Sequence, residues 1–197
     1  MASRLAPKVN SRQGESQCKE KYVVLLSPVG KLKISGCEVG LHEIKLPKMS
    51  MLPSGAESSA ACKVCEGMEE MTEPLKQCLE WLCAYFCEPA RTASLPMPAF
   101  HHPLLQRDSF TQRVLWTLLR DVKFGEAVSY KQLADLAGNG RAARAVGGAM
   151  RSNPIPIIIP CHRVICSSGQ SGNYAGGNLL KEWLLSHEKL QKEKLAY

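Results

Sequence analysis

Apolar and polar positions alternate through YVVLLSPVGKLKIS (22–35), which predicts two strands around a turn at Ser27-Pro28-Val29-Gly30. Leu41-His42-Glu43-Ile44-Lys45-Leu46 alternates again and extends the sheet. No period holds over 47–72, where Pro, Ser, Gly and Met dominate, so this stretch reads as a long loop. Pro74 suits an early helical position, and Leu75, Cys78, Leu79, Leu82 and Phe86 then recur at helical spacing up to Glu88-Pro89. Four prolines between 89 and 103 break regular structure and mark a linker. The expected division is therefore 1–103 and 104–197, with the polar residues 1–20 ordered only where something holds them.

The second half has a helical period. Asp108-Ser109 caps a helix running to Asp121, with Phe110, Val114, Leu115, Leu118 and Leu119 on its buried face. Ser129 caps a short helix over Tyr130 to Ala137, Gly138-Asn139-Gly140 is a turn, and RAARAVGGAMR (141–151) is a second helix of small residues. Two short helices around a glycine-containing turn form a helix-turn-helix pattern. Pro154, Pro156 and Pro160 exclude helix from the next stretch. A glycine-rich loop (166–178) precedes a final amphipathic helix from Leu179 to Leu190, and no internal repeat is present.

Composition and charge add a partner class. The 197 residues carry a formal charge of +7, and the span Arg107 to Arg163 holds nine basic against four acidic side chains, most of that excess. Such a patch suits a polyanion. The longest apolar run, Ile155 to Cys161, is interrupted by Pro156 and Pro160 and falls far short of the ~20 residues a bilayer requires. The N-terminus has no apolar core of a secretory signal, so a cytosolic or nuclear protein is expected. Nine cysteines cannot all pair within one chain, and outside a secretory setting metal ligation, catalysis or burial must account for them.

The chemistry concentrates at Pro160-Cys161-His162-Arg163. A thiolate is the attacking form of cysteine, and an adjacent base or cation raises its population from the few per cent of a free thiol. A Cys-His dipeptide alone is equally a buried structural pair. The segment Asn153-Pro154-Ile155-Pro156-Ile157-Ile158-Ile159-Pro160-Cys161-His162-Arg163-Val164, however, resembles the active-site segment of the O6-alkylguanine-DNA alkyltransferases (methylated-DNA–protein-cysteine methyltransferases). The resemblance runs through Val122 to Glu126, Ser129-Tyr130, Ala142 to Arg151, Asn173-Tyr174, Gly176-Gly177, Lys181 to Leu185 and Glu188, covering nearly all of 108–188. Ser27 to Leu32, Ser35 to Glu38, Gly40 to Ile44 and Ala99 to Pro103 are more loosely similar to the N-terminal domain of vertebrate members.

The resemblance implies an α/β plus α architecture. An N-terminal α/β domain with a small antiparallel, ribonuclease-H-like sheet would precede a helical winged-helix domain. It also implies direct-reversal repair: a nuclear, monomeric protein flips an alkylated guanine from double-stranded DNA, and Cys161 takes the alkyl group irreversibly, without a catalytic cofactor or membrane contact. His162 would be the general base acting through water, Glu188 its orienting carboxylate, Asn153 a brace beneath the active-site loop and Tyr130 the group that turns the nucleotide and protonates the leaving base. Arg144 would fill the gap left by the flipped base. Its small-residue helix would enter the minor groove, although most helix-turn-helix proteins use the major one. Thr111, Lys131, Asn139 and Ser167 match phosphate-contact positions, with Arg141 and Arg151 as additional candidates. Met150, Val164, Tyr174, Ala175 and Gly176 would line the base pocket. Ala175 stands where vertebrate relatives often carry Ser, and Gly140 where the turn often has Pro.

The resemblance also implies a structural zinc held by Cys18, Cys37, His42 and His101, a donor set suited to tetrahedral coordination. Cys62-Lys63-Val64-Cys65 is a CxxC pair without a second pair or a βαβ context, and reads as two surface thiols. Cys83 and Cys87 share a helix face, and burial is the expectation for both and for Cys78. Two other function classes remain: a non-catalytic winged-helix regulator, which has no use for Cys161 beside His162, and a cysteine hydrolase using Cys161, His162 and Glu188, which leaves Arg144 and the helix-turn-helix without a role.

Overall fold

The computed structural model describes residues 18–47, 62–67, 69, 71–166 and 177–195. Strands β1 (Lys21–Ser27) and β2 (Gly30–Gly36) form a hairpin in register from Lys21↔Gly36 to Ser27↔Gly30. The Ser27 hydroxyl donates to the Gly30 carbonyl at 2.8 Å and closes the turn, while Gly30 takes a φ of +117°, which glycine tolerates. Strand β3 (Leu41–Lys45) pairs antiparallel with β2, and β4 (Lys63–Glu66) with the other side of β1, giving the order β3-β2-β1-β4.

Strand β4 corrects the expectation of loop throughout 47–72. It is an edge strand of four residues in which Val64 alone is half-buried, so main-chain pairing with β1 rather than an apolar period defines it. Its pleat also splits the CxxC pair. Cys62 is half-buried on the inner side with Val64, whereas Cys65 is exposed on the outer side with Lys63, so Cys62 departs from the expected surface position.

Helix α1 (Glu73–Cys87) covers the sheet with Leu75, Cys78, Leu79, Trp81, Leu82, Tyr85 and Phe86. The expected linker 89–103 is only partly irregular. Pro89–Ala93 is a 3-10 turn, and residues 99–101 then run alongside β3. There Leu41 N donates to Ala99 O at 2.8 Å and His101 N donates to Leu41 O at 2.7 Å. Gly40 permits this approach, because a Cβ there would lie 2.7 Å from the Phe100 carbonyl carbon.

The single turn α2 (Pro103–Gln106) starts on His102, whose Nδ1 accepts from Leu104 N at 3.1 Å. Helix α3 (Phe110–Asp121) starts on Ser109, whose hydroxyl accepts from Gln112 N at 3.1 Å. Helix α4 (Tyr130–Leu136) begins with a reciprocal Ser129–Gln132 capping box, and α5 (Ala143–Ser152) follows the expected turn. Strands β5 (Val128–Ser129) and β6 (Val164–Ile165) pair in parallel beside them, and α6 (Asn178–Leu195) closes the chain.

One hydrophobic cluster runs from Val23 and Leu25 under the sheet, through Leu82 and Leu115, to Leu133 and Leu184. The two halves thus share packing rather than meeting only at a tether. No helix among the described residues is long and apolar enough to cross a membrane.

Candidate active site

The segment between α5 and β6 is held as a rigid arch. Asn153, at the C-terminal end of α5, donates from Nδ2 to Ile159 O at 2.9 Å and accepts from Ile155 N at Oδ1 at 3.0 Å. Ile159 N closes back on Ile155 O at 3.0 Å, and Ile44 N in β3 donates to Pro154 O at 2.9 Å. Inside the arch, Ile157 has a φ of +72° and is fully buried, a costly conformation for a β-branched residue. The surrounding hydrogen bonds and packing enforce it, and they fix where the chain turns into Pro160 and the single 3-10 turn Cys161–Arg163.

That turn places three reactive side chains in the interior. Cys161 is 4% exposed, His162 is fully buried and Arg163 is buried beside them. Glu188, on α6, is their common partner. Its Oε2 contacts His162 Nε2, and Tyr85 in α1 donates its hydroxyl to the same oxygen at 2.6 Å. Its Oε1 accepts from Arg163 Nε at 2.7 Å and from Gly125 N at 3.1 Å. Arg163 in turn donates to Val122 O at 2.8 Å.

The electrostatics follow from this arrangement. Burial pushes the Glu188 carboxyl up, but His162 and Arg163 outweigh it and hold the group well below the usual carboxylate range. Burial depresses the His162 pKa despite the carboxylate's opposing pull, so the imidazole is neutral near pH 7. A neutral ring that donates from Nε2 to Glu188 keeps its lone pair on Nδ1, and that is the basic atom.

Lys181 is a further buried cation. It is 1% exposed, and its ammonium donates to Val164 O at 2.6 Å. Burial lowers its pKa, while Cys161 and Cys166 favour its charge; reciprocally, an ammonium there favours a Cys161 thiolate. Tyr130, the first residue of α4, is half-buried with its ring 6.0 Å from the Lys181 ammonium. Burial first, and then negative charge on Cys166 and Cys161, raises its pKa, so the phenol keeps its proton beside a thiolate.

The remaining candidates divide by exposure. Arg144 and Arg151 stand exposed on α5, as do Arg141 before it, Lys131 on α4 and Asn139 in the turn. Thr111 is half-buried in the first turn of α3. The Asn139 side chain accepts from Arg141 N at 3.2 Å, so it shapes the turn as well. Met150 and Val164 are buried in the same core cluster as Cys161. Ser167, Tyr174, Ala175 and Gly176 lie outside the described residues. On α5, a Cβ added at Gly147 or Gly148 would meet nothing closer than 3.9 Å. Internal packing does not require these glycines, so their missing side chains leave room for something outside the protein.

Three contributors escaped the sequence reading: Tyr85, the structural role of Arg163, and Lys181. Lys181 left a signal, since it shares the inward face of α6 with Leu184 and Glu188 at helical spacing. Tyr85 left none, because it lies within the buried apolar face of α1.

The second cluster is in the N-terminal half. Cys18 precedes β1, Cys37 follows β2, His42 is in β3 and His101 lies on the segment running beside it. Their donor atoms all fall within 4.8 Å of one another, with Cys18 Sγ 3.2 Å from His42 Nε2 and Cys37 Sγ 3.1 Å from His101 Nδ1. A zinc tetrahedron of thiolate and imidazole donors has edges of about 3.3–3.8 Å, so the cluster fits that ion. Glu20 contacts the other ring nitrogen of His42 at 2.8 Å, a typical outer support for a metal-binding imidazole.

A helix-turn-helix unit with an arginine-bearing second helix, followed in the chain by a buried cysteine and a His–Glu pair, is the arrangement of a DNA-directed cysteine enzyme. Comparison with known proteins agrees. Residues 21–99 match the 6-O-methylguanine DNA methyltransferase ribonuclease-like domain, and 109–190 match the DNA binding domain of the same family. The rat methylated-DNA–protein-cysteine methyltransferase is 61% identical over 87% of this chain and 83% of its own length. The human protein of that name is 57% identical over 88% and 83%. The crystal structure of Mycobacterium tuberculosis OGT in complex with DNA superposes with a TM-score of 0.62 at 31% identity, over 87% of this chain and 93% of that one. The chain belongs to the methylated-DNA–protein-cysteine methyltransferase family. It is a DNA repair protein that removes alkyl damage by transferring the alkyl group to a cysteine of its own.

Proposed function

We propose that Cys161 is the alkyl acceptor and that the substrate is O6-alkylguanine flipped out of double-stranded DNA. The observation that carries this reading is a buried cysteine adjoining a buried histidine whose Nε2 contacts Glu188, within residues 109–190 that match a DNA binding domain. His162 Nδ1 takes the thiol proton, directly or through one water, and Lys181 favours the thiolate. The sulfur attacks the alkyl carbon, so an S–C bond forms as the C–O6 bond breaks. The departing guanine receives a proton from the Tyr130 hydroxyl. The product is a stable thioether, so each molecule acts once.

Arg144 fills the space the base vacates, repaying part of the few kcal/mol that unstacking costs. The glycine-lined face of α5 approaches the minor groove. Thr111, Lys131, Asn139, Arg151 and Ser167 contact phosphates, and Met150, Val164, Tyr174, Ala175 and Gly176 line the base pocket. Zinc held by Cys18, Cys37, His42 and His101 would stabilise the N-terminal domain (1–103) without entering the chemistry of the C-terminal one (104–197). The protein acts as a monomer in the nucleus.

The test is intact-mass analysis after mixing with duplex DNA bearing one O6-methylguanine. The expected result is one methyl in place of one hydrogen per molecule, mapped to Cys161 and absent in Cys161→Ala. An unchanged mass with DNA binding intact overturns the reading.

A further inference from the structure

Beside the active-site arch lies a cleft of about 520 Å³ that the proposed alkyl transfer does not use. One wall is β3, with Glu43 and Lys45. The other is the last turn of α5 and the arch behind it, with Arg151, Asn153 and Pro156. The walls are tied where Ile44 N donates to Pro154 O at 2.9 Å, so the cleft is built where the two halves of the chain meet. Part of its polar lining is committed within the protein. The Ser152 hydroxyl donates to Gly148 O at 2.9 Å, and both ends of the Asn153 amide hold the arch. Lys45 and Arg151 differ: both are exposed, and among the described residues neither forms an ion pair with a carboxylate. Lys45 is also the direct cross-strand partner of Lys33 on the solvent face of the sheet. Like charges placed directly opposite destabilise a sheet. The Lys33 ammonium lies 4.8 Å from the centre of the Tyr22 ring, which leaves its charge unneutralised. A basic track therefore runs from Lys33 through Lys45 and across the cleft to Arg151, with Glu43 the one acidic side chain on the cleft lining.

We propose that this cleft is a second DNA contact, in which Lys45 of the N-terminal half takes a backbone phosphate flanking the flipped nucleotide. The inference rests on the reading that places α5 against DNA. Two observations favour a DNA strand as the occupant. The cleft continues directly from the end of α5, so a backbone leaving that helix meets it next. Its cations also stand on either side of an apolar floor that includes Pro154 and Pro156, which suits a deoxyribose between charged phosphates. Lysine acts there as a point charge. It fixes the position of the strand and reads no base, which fits a protein directed at a lesion rather than a sequence.

The experiment uses the full-length protein and an undamaged duplex, with anisotropy titrations over a range of salt concentrations. Lys45→Gln should weaken binding about five- to tenfold near 0.1 M salt and reduce the slope of log K against log salt by about 0.9, the mark of one lost phosphate contact. Lys63→Gln, on β4 at the far edge of the same sheet, should change neither. Alkyl transfer from free O6-benzylguanine, which involves no DNA, should run at the wild-type rate in Lys45→Gln. In acetylation footprinting read by peptide mass mapping, the duplex should protect Lys45 and leave Lys63 reactive. Unchanged affinity and slope in Lys45→Gln, alongside losses in Arg144→Ala and Arg151→Gln, overturns the proposal and leaves the reading of α5 intact. Unchanged binding in all three variants overturns both. Protection of Lys45 that grows with protein concentration in the absence of DNA assigns this face to a second copy of the chain and likewise overturns the proposal.

Discussion

Replacing Tyr85 by phenylalanine tests whether the N-terminal half takes part in setting the reactive centre. The phenol is fully buried and donates to Glu188 Oε2 at 2.6 Å, the oxygen that also faces His162. A hydrogen bond to an ionised partner contributes roughly 1.5–3 kcal/mol. Phenylalanine keeps the ring, which packs edge-on to Phe86 and Phe124, so little packing is lost. Glu188 keeps Arg163, Gly125 N and His162 as partners, which limits the destabilisation to about 1–2 kcal/mol. The more specific effect is on His162. With one donor gone, the carboxylate acts more strongly on the imidazole N–H and stabilises the protonated ring. If half of the lost bond reappears there, the His162 pKa rises by about 0.5–1 unit, since one unit is 1.36 kcal/mol.

The assay is single-turnover transfer from O6-methylguanine duplex between pH 5.5 and 8.5, with thermal melts in parallel. The acid limb should move to higher pH by that amount, while the plateau rate falls by less than about tenfold. An unshifted limb with a lowered Tm would assign the hydroxyl to stability alone. An unshifted limb with an unchanged Tm would refute the reasoning entirely.

Gly147→Ala and Gly148→Ala should each stabilise the free protein by about 0.5–1 kcal/mol in calorimetry, because a helical glycine costs that much and a Cβ there meets no close neighbour, yet weaken binding to duplex DNA in a filter or anisotropy titration. Unchanged DNA affinity would remove that helix face from the interface. Stability to denaturant should fall on acidification. His162 is depressed from its ordinary 6.5 and Glu188 from 4.5, so the unfolded chain binds more protons below each ordinary value and stability drops as pH falls through 6.5 and again through 4.5. A flat profile between pH 7.5 and 4 would contradict the neutral histidine and ionised carboxylate. Asn153→Ala removes two hydrogen bonds under the arch and should cost about 2 kcal/mol, read as a lowered urea midpoint, with alkyl transfer slowed as well. His101→Ala should abolish stoichiometric zinc measured by metal analysis and lower the Tm, while transfer to Cys161 at low temperature persists; full zinc content in the variant would exclude His101 as a ligand.

What could be read from the sequence was whatever local chemistry decides. Helix α3 begins on Ser109 as expected, α4 on Ser129, and the tight hairpin turns between Ser27 and Gly30, because a capping hydroxyl or a positive φ leaves its mark within a few residues. The cysteine, histidine and glutamate of the site were legible through the family resemblance, and the structure brings His162 and Glu188 into direct contact. Strand β4 was not legible. Only Val64 in it has an inward apolar side chain, and the strand is defined by backbone pairing with β1, which carries no side-chain signature.

The same reason explains Tyr85. The significant contact joins residues far apart in the chain, and the residue alone has an ordinary local role as an aromatic on an apolar stripe. Tyr85 is one hydroxyl among many buried ring atoms, and only the arrival of Glu188 from 103 positions away makes that hydroxyl matter. This arrangement also accounts for how the two halves depend on one another. Glu188 receives Tyr85 from the first half and His162, Arg163 and Gly125 from the second, and Pro154 on the active-site arch is held by Ile44 of β3. A buried carboxylate with donors from both halves is satisfied only when they are docked. Docking is therefore a condition for the His162 tautomer and for the shape of the arch alike, so the N-terminal half contributes to the geometry of the reactive centre.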